Sequence, residues 1–454
     1  MGISSLGMGS SILTQDVLDQ LRKADETSRV TPIDLDLANE KDKKNALELI
    51  DASMTNLIDS ITEIQSHSLY DERKTDITGT SVAVTADSNT DVQDFSLEVT
   101  QLATKQIEES GSFSGEDETI ADDAGSLNLN IDGEDFTIEY DDTTTLKDLK
   151  ASINEIAGDK VDATIVQISN GDFRLFISSA DTGSNQDITL TDNDDNLKDT
   201  RLTDDMTSIQ DGVDATFTFN SQEITRHSNK IDDLVTGVDI TLKELGTSEV
   251  SISQDRDTIM EKMDSFVEKY NSAVKQLAEM TKPSADSETK GIFSTESTIK
   301  NMKRTIEDSM IHNGGAGSMM DFGFDIDKDG VLTLDKTLFN QKLDDSPKNV
   351  EAFFSGGTYT KDDGSTVELE GSFTFLATKI EEYTKYNTIL DRFSTSIDDR
   401  VSTLEDRKTA AVERLDTKYE IMKKQFAAYD SMISKFNSAS SMFTEMANAS
   451  SSDK

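Results

Sequence analysis

Apolar positions change period twice along this chain. Residues 33–72 and 386–447 repeat them every three or four residues, whereas roughly 79–253 alternates them. The first stripe, Leu47, Ile50, Met54, Leu57, Ile61 and Ile64, keeps one helix face apolar, as a packed helix or coiled coil requires. The second runs through Ile397, Val401 and Leu404, then Leu415, Tyr419, Met422, Phe426, Tyr429, Ile433, Phe436 and Phe443. Its phase slips by one residue between Leu404 and Leu415, a stutter that locally unwinds a supercoil. As one helix the stretch would be about 90 Å long at ~1.5 Å per residue. No small domain buries such a helix along its whole length. It needs a partner, either the other chain end or other molecules. A chain that starts helical, turns to strands and finishes helical is predicted to bring its ends together as a stalk bearing a β-rich head.

Within the first helical part, Thr14 or Asp16 can cap a short helix carrying Val17, Leu18 and Leu21, which Pro32 interrupts. Val82 and Val84, then Phe95, Leu97 and Val99, read as half-buried strands. Residues 125–178 read as a ββαββ module. Leu127, Leu129 and Ile131 lead into the hairpin signal Asp132-Gly133, and Phe136, Ile138 and Tyr140 follow. Thr145 and Asp148 resemble a capping box opening a helix with Leu146, Leu149, Ile153 and Ile156. Val161–Ile168 and Phe173–Ile177 flank the turn Asn170-Gly171. Residues 181–211, rich in Asp, Asn and Thr, read as loop. Helical spacing returns with Ile259, Met263, Phe266, Tyr270, Val274 and Leu277, and again with Ile299, Met302, Ile306 and Met310. Pro347 opens a short helix, the last helices begin near Phe373, and a turn falls near Tyr386-Asn387.

Composition narrows the function. The chain has 454 residues, enough for roughly three domains on a length prior of ~150 each. Only 34% is hydrophobic, which fits small domains and helix pairs better than one large globule. The 89 acidic and 44 basic side chains give a formal net charge of −45. Phosphate is repelled by such a surface, which argues against nucleic acid and bare anionic membrane as partners. The absence of cysteine excludes disulfides, thiolate metal sites and cysteine nucleophiles. No apolar run approaches the ~18 residues of a membrane span. The start has no basic region followed by an apolar core, so it is not a Sec signal. Leu6 stands where a myristoylation motif needs Ser or Thr. A cytosolic protein and one exported without a cleaved signal both fit.

Candidate chemistry is sparse. In DIDKDGVLTLDK, residues 325–336, Asp325, Asp327, Asp329 and Gly330 match a calcium loop, but the bidentate Glu is replaced by Lys336. Val331–Leu334 reads as a strand, so a tight turn entering a strand is the better reading. Asp192–Asp195 reads as a solvated loop. His67, His227 and His312 lie far apart, each without a local ligand pattern. No GxSxG, HExxH or P-loop pattern occurs. The methionines at 54, 302, 310, 422, 432, 442 and 446 fall mostly at stripe spacing, as packing or as an adaptable binding face.

Several stretches together resemble the flagellar hook-associated protein 2 family, the filament caps. They are SSLGMGSSILTQDVLDQLRKADE at the start and DVQDFSLEVTQLATKQIEESGSF at 91–113, centred on Val99, Thr100, Gln101, Leu102 and Ala103. DGVDATFTFNSQEITRHSNKIDDLVTGVDITLKEL at 211–245, Phe266–Asn271, MDFGFDIDKDGVLTLD and the final Phe426–Asp430 complete the set. The 125–178 module is similar to an insert shared by flagellins and hook proteins. The acidity and the loop at 181–211 have no counterpart in that pattern.

The resemblance implies an α+β multidomain fold: terminal helices form a coiled-coil leg and a helical bundle, with two inserted β-rich head domains. The expected divisions are an N-terminal leg over 1–45 and bundle over 46–78. An inner head over 79–120 and 212–254 encloses an outer head over 121–211. Bundle over 255–425 and a C-terminal leg over 426–454 follow. Val17, Leu18, Leu21, Leu415, Tyr419, Met422, Phe426, Tyr429, Ile433 and Phe436 form the self-assembly stripe, ordered only on docking. The implied function is a homo-oligomeric cap at the distal tip of the extracellular filament, with no enzymatic activity, cofactor or metal. It would retain flagellin, contact the hook-filament junction protein, and present its C-terminal helix to a type III export chaperone. Export by the flagellar type III route needs no cleaved signal. Two alternatives stand beside this reading: an adhesin whose head binds glycan or mucin, and a calcium-dependent glycosidase.

Overall fold

The computed structural model describes residues 14–286, 289–311 and 317–451. The Gly/Ser-rich start, 1–13, and His312 lie outside them. In chain order come α1 (Gln15–Arg29), α2 (Thr31–Gln65) and α3 (His67–Asp71). Then follow β1 (Arg73–Thr78), β2 (Val82–Ala86), β3 (Gln93–Gln101), β4 (Ile107–Glu109), β5 (Gly125–Ile131) and β6 (Glu134–Tyr140). Next are α4 (Leu146–Ile156), β7 (Val161–Ser169), β8 (Asp172–Ser179), β9 (Thr189–Asp192) and β10 (Thr207–Gln210). β11 (Ala215–Phe219), β12 (Gln222–Arg226), β13 (Lys230–Val235), β14 (Val238–Leu242) and β15 (Gly246–Gln254) finish the strand-rich part. The chain ends with α5 (Arg256–Thr281), α6 (Ser297–Met310), the hairpin β16 (Phe324–Ile326) and β17 (Leu332–Leu334), α7 (Lys336–Asp345) and α8 (Pro347–Ser355). The hairpin β18 (Gly357–Thr360) and β19 (Thr366–Leu369), α9 (Ser372–Thr384) and α10 (Ile389–Ser451) close it. The chain divides into a helical unit, up to His67 and from Thr258, and a β unit, Ser68–Asp257.

In the helical unit the α2 stripe is the core, as its period predicts: Leu47, Ile50, Met54, Leu57, Ile61 and Ile64 are all buried. They pack towards α9 and α10. A second nucleus is aromatic. Phe266, Phe324, Phe339, Phe353, Phe354 and Phe373 are fully buried. Phe373 sits 4.5 Å from Phe266 and 5.2 Å from Phe354, ring centre to ring centre, within the range where aromatic pairs add to area burial. Asn271 clamps the β17 edge, donating to the Leu332 carbonyl at 2.8 Å and accepting its N–H at 2.7 Å. The 325–336 stretch is therefore a hairpin seated on α5. One Asp327 oxygen accepts the N–H groups of Asp329 (2.8 Å) and Val331 (2.9 Å), and Gly330 takes φ +84°. Among the described residues no His, Asp or Glu cluster is arranged to hold a metal.

The β unit holds two cores. In the first, the sheet β1-β15-β3-β11-β12 faces the sheet β13-β14-β2. Alternate residues Phe95, Leu97 and Val99 of β3 meet Phe217, Ile240, Val250 and Ile252 inside. In the second, the sheets β6-β5-β9 and β10-β4-β8-β7 and helix α4 enclose Leu127, Leu129, Ile138, Leu149, Ile153, Leu175 and Ile177. The Asp132-Gly133 turn has φ +52° and +75°, as a type I′ hairpin demands. The Thr145–Asp148 capping box is formed. The two hairpins of the predicted ββαββ module lie in different sheets and share a core.

Three expectations need correction. Residues 181–211 are not all loop: β9 pairs with β5 and β10 with β4. Both strands are four residues long and mostly polar, so they carry no alternation signal. Asp192 is not solvated loop either; it ends β9 and accepts the Tyr140 hydroxyl at 2.5 Å and the Leu197 N–H at 3.0 Å. Burial, then this hydrogen bond, holds the Tyr140 hydroxyl far above its ordinary value. Finally, the domain edges move. β1, expected in the bundle over 46–78, pairs with β15. Phe113 and Ile120, expected in the inner head over 79–120, belong to the second core with β4. No helix is long and apolar enough to cross a membrane among the described residues.

Candidate assembly surface

The terminal stripes meet in the helical unit. Thr14 caps α1, its hydroxyl accepting the Val17 N–H at 3.4 Å. Pro32 starts α2 instead of ending a structure, because a proline in the first turn wastes no hydrogen bond. Only Val30 separates the two helices. Its N–H reaches Glu26 and its carbonyl accepts from Asp34, so helical bonding passes through the joint.

Both helices run antiparallel to α10. Ion pairs mark the register: Lys44 with Asp398 (2.5 Å), Lys41 with Glu405 (3.2 Å), Asp34 with Lys408 (2.7 Å) and Asp25 with Lys418 (2.5 Å). Arg22 pairs with Asp416. From Lys44 to Asp25 the first number falls while the second climbs, as antiparallel packing requires. Exposed pairs of this kind are screened by solvent and contribute little each, so they set register more than stability. Tyr419 also donates its hydroxyl to Asp25 at 2.8 Å. The hydrogen bond from Lys418, then that from Tyr419, holds the Asp25 carboxyl below its ordinary value. Burial and Asp25 push the Tyr419 hydroxyl up.

Leu18, Val30, Leu415 and Tyr419 form a small buried cluster, with Ala411, Val412, Met422 and Phe426 packed on it. This amends the expectation that the leg is ordered only by docking on neighbours: its first half is covered within the chain. Val17 is half-buried, whereas Leu21 is 43% exposed and leaves the stripe. The inward positions of α1 step from Leu18 to Arg22 and Asp25, and Leu21 lies at the edge of that row.

Beyond Phe426 the stripe continues without α1. Tyr429 is 56% exposed, Phe436 79% and Phe443 70%, and Met432, Met442 and Met446 are exposed too. Ile433 is half-buried. α10 itself is unbroken through the expected division at 425/426 and through the phase slip after Leu404. Such a contiguous apolar face on an exposed helix marks a contact site.

The segment Val99–Ala103 serves packing instead. Val99 and Ala103 are buried. Thr100 donates to the Thr216 carbonyl (2.9 Å) and Gln101 to that of Asp214 (2.8 Å). Asn229 brackets Ala103 through both its N–H and carbonyl, each at 2.8 Å. These bonds fasten the end of β3 where the chain leaves for the second core. The ion pair of Asp25 and the packing of Val30 carry no periodic signal. His67 and His227 pair with Glu351 (2.6 Å) and Asp214 (2.8 Å).

Long terminal helices packed together, with β-sheet domains inserted between them, define an α+β multidomain protein. Models of the flagellar hook-associated protein 2 N-terminus and C-terminus match residues 10–106 and 212–438. The chain belongs to the flagellar hook-associated protein 2 family, which is structural and non-enzymatic. It is 25% identical to flagellar hook-associated protein 2 of Campylobacter jejuni, over 81% of this chain and 66% of that one. It is 31% identical to that of Helicobacter pylori over 53% of this chain and 37% of the relative. The chain thus spans less than two thirds of those relatives. With the Escherichia coli relative it shares 24% identity over 100% and 99%. The solved D1-D2-D3 domains of the flagellar cap protein FliD from Escherichia coli superpose with a TM-score of 0.58 at 19% identity. They cover 78% of this chain and 99% of that structure, a likeness of fold.

Proposed function

We propose that this chain caps the distal end of a bacterial flagellar filament. Copies assemble into a plate through their β units. The terminal helices reach the growing tip, where they contact the hook-filament junction protein first and flagellin later. The plate retains exported flagellin and gives it a place to fold and insert. Export through the flagellar type III channel without a cleaved signal suits a chain that has no cysteine. A chaperone that offers a helix-binding groove covers α10 before export.

The observation that carries this reading is the uncovered row Tyr429, Met432, Phe436, Phe443 and Met446 on α10. An acidic chain gains nothing from exposed aromatics and methionines unless another molecule covers them. Deleting 429–454 in the producing cell is expected to stop filament growth and release flagellin to the medium, while the β unit stays folded. Normal filaments from that strain contradict the proposal.

A further inference from the structure

The four-stranded sheet β10-β4-β8-β7 ends on β7, and no strand pairs with its outer side among the described residues. The direction of its backbone groups follows from the neighbouring bonds. Asn154 takes both the N–H (2.7 Å) and the carbonyl (2.8 Å) of Ala163, so Ala163 faces away from β8. On β8, Leu175 and Phe173 bond outward to Ser110 and Phe113, and these two lie opposite Ile165 and Gln167. In an antiparallel pair such residues form the non-hydrogen-bonded positions. The N–H and carbonyl groups of Ile165 and Gln167 therefore also point away from β8, and no partner takes them among the described residues. Asn154 guards the edge at Ala163 and leaves these two positions open.

Chains usually protect such an edge with charge, proline or a cover. Here the opposite holds. Residues 107–211 carry 27 acidic and 6 basic side chains, yet the nine residues 163–171 carry none. Val166 and Ile168 on this edge are 39% and 52% exposed. Two copies of so acidic a module repel each other over most of their surface. This edge is a place where they can approach without opposing like charges.

We infer that β7 is a self-pairing edge: two copies join antiparallel about a two-fold axis at Val166. Ile165 of one copy then exchanges both backbone bonds with Gln167 of the other, and the reverse, giving four bonds. Val166 meets its counterpart, and Ile168 meets Thr164. Like every isologous contact, this one joins copies in twos. Four bonds make a weak contact alone, strengthened when other surfaces already hold the copies together. The inference rests on the homo-oligomeric reading above.

The chain's lack of cysteine makes the test direct. Val166→Cys in the full chain places two thiols at a close non-hydrogen-bonded pair, a spacing compatible with a disulfide. Mild oxidation is expected to link Val166→Cys into dimers about tenfold faster than the exposed control Asp142→Cys, because docking raises the effective thiol concentration. Adding Gln167→Pro removes an outward N–H without touching the β8 ladder, and is expected to abolish that advantage while circular dichroism stays unchanged. Equal rates at 166 and 142 overturn the inference. So does preferential linking of Val166→Cys to Ile209→Cys on the β10 edge, which would mean a head-to-tail contact. Sedimentation of the unmodified chain separates the two levels. Assembly without cross-linking at 166 defeats only this inference; a chain that stays monomeric at all concentrations defeats the homo-oligomeric reading itself.

Discussion

Burial and charge oppose each other at Glu108. The side chain is buried on β4 and accepts from Gln106 at 2.5 Å. Desolvation raises its carboxyl above the ordinary value, against the pull of that hydrogen bond, and Asp187 and Asp211 add to the rise. A folded-state value raised in this way gives stability that is present below the unfolded value and lost as pH rises through the folded one. Glu108→Gln should therefore raise the melting temperature of the β unit at pH 7, and the gain should vanish below about pH 4. Thermal unfolding across that range checks it. Phe354 is a simpler case, packed between Phe339 and Phe373 with no exposure. Phe354→Ala should cost about 3–5 kcal/mol in denaturant unfolding of the helical unit, since a core cavity adds to the lost transfer energy. Period marked only Phe266 of this aromatic cluster, as part of the α5 stripe. Its members stand at 266, 324, 339, 353, 354 and 373, and only folding brings them together.

At the scale of elements, what the sequence made legible followed signal strength. The α2 stripe repeats over six positions and is buried throughout. The Asp132-Gly133 turn and the Thr145 cap act through local backbone chemistry, so they were readable one segment at a time. Strands β4, β9 and β10 are three or four residues long, and tertiary pairing alone defines them. The α1–α10 contact was half legible. Both stripes were visible, but register comes from ion pairs such as Asp25 with Lys418, which no period encodes. That pair makes a prediction. The Asp25 value is depressed, so its contribution to α1 docking is present above about pH 4 and lost as pH falls through the folded value. Hydrogen exchange in α1 should be faster in Asp25→Asn than in the unaltered chain at pH 7, and the difference should close below about pH 4.

Charge divides unequally over the whole molecule. The β unit, 68–257, holds 43 acidic and 13 basic side chains, a net −30 of the total −45. Self-repulsion of that size destabilises a compact state and is screened by salt, with a Debye length of about 10 Å at 0.1 M. The melting temperature of the β unit should rise with sodium chloride more than that of the helical unit. Screening also eases the approach of copies, so assembly should strengthen with salt. The composition announced the acidity but not its location, because only the fold assigns residues to units.

On the proposed function, neighbouring molecules dock on the exposed row Tyr429, Met432, Phe436, Phe443 and Met446 of α10. Sedimentation velocity of the full chain against a chain ending at Ala428 tests it most directly. The full chain is expected to assemble as concentration rises, and the shortened one to stay folded but to assemble markedly more weakly. Equal assembly by both would contradict it.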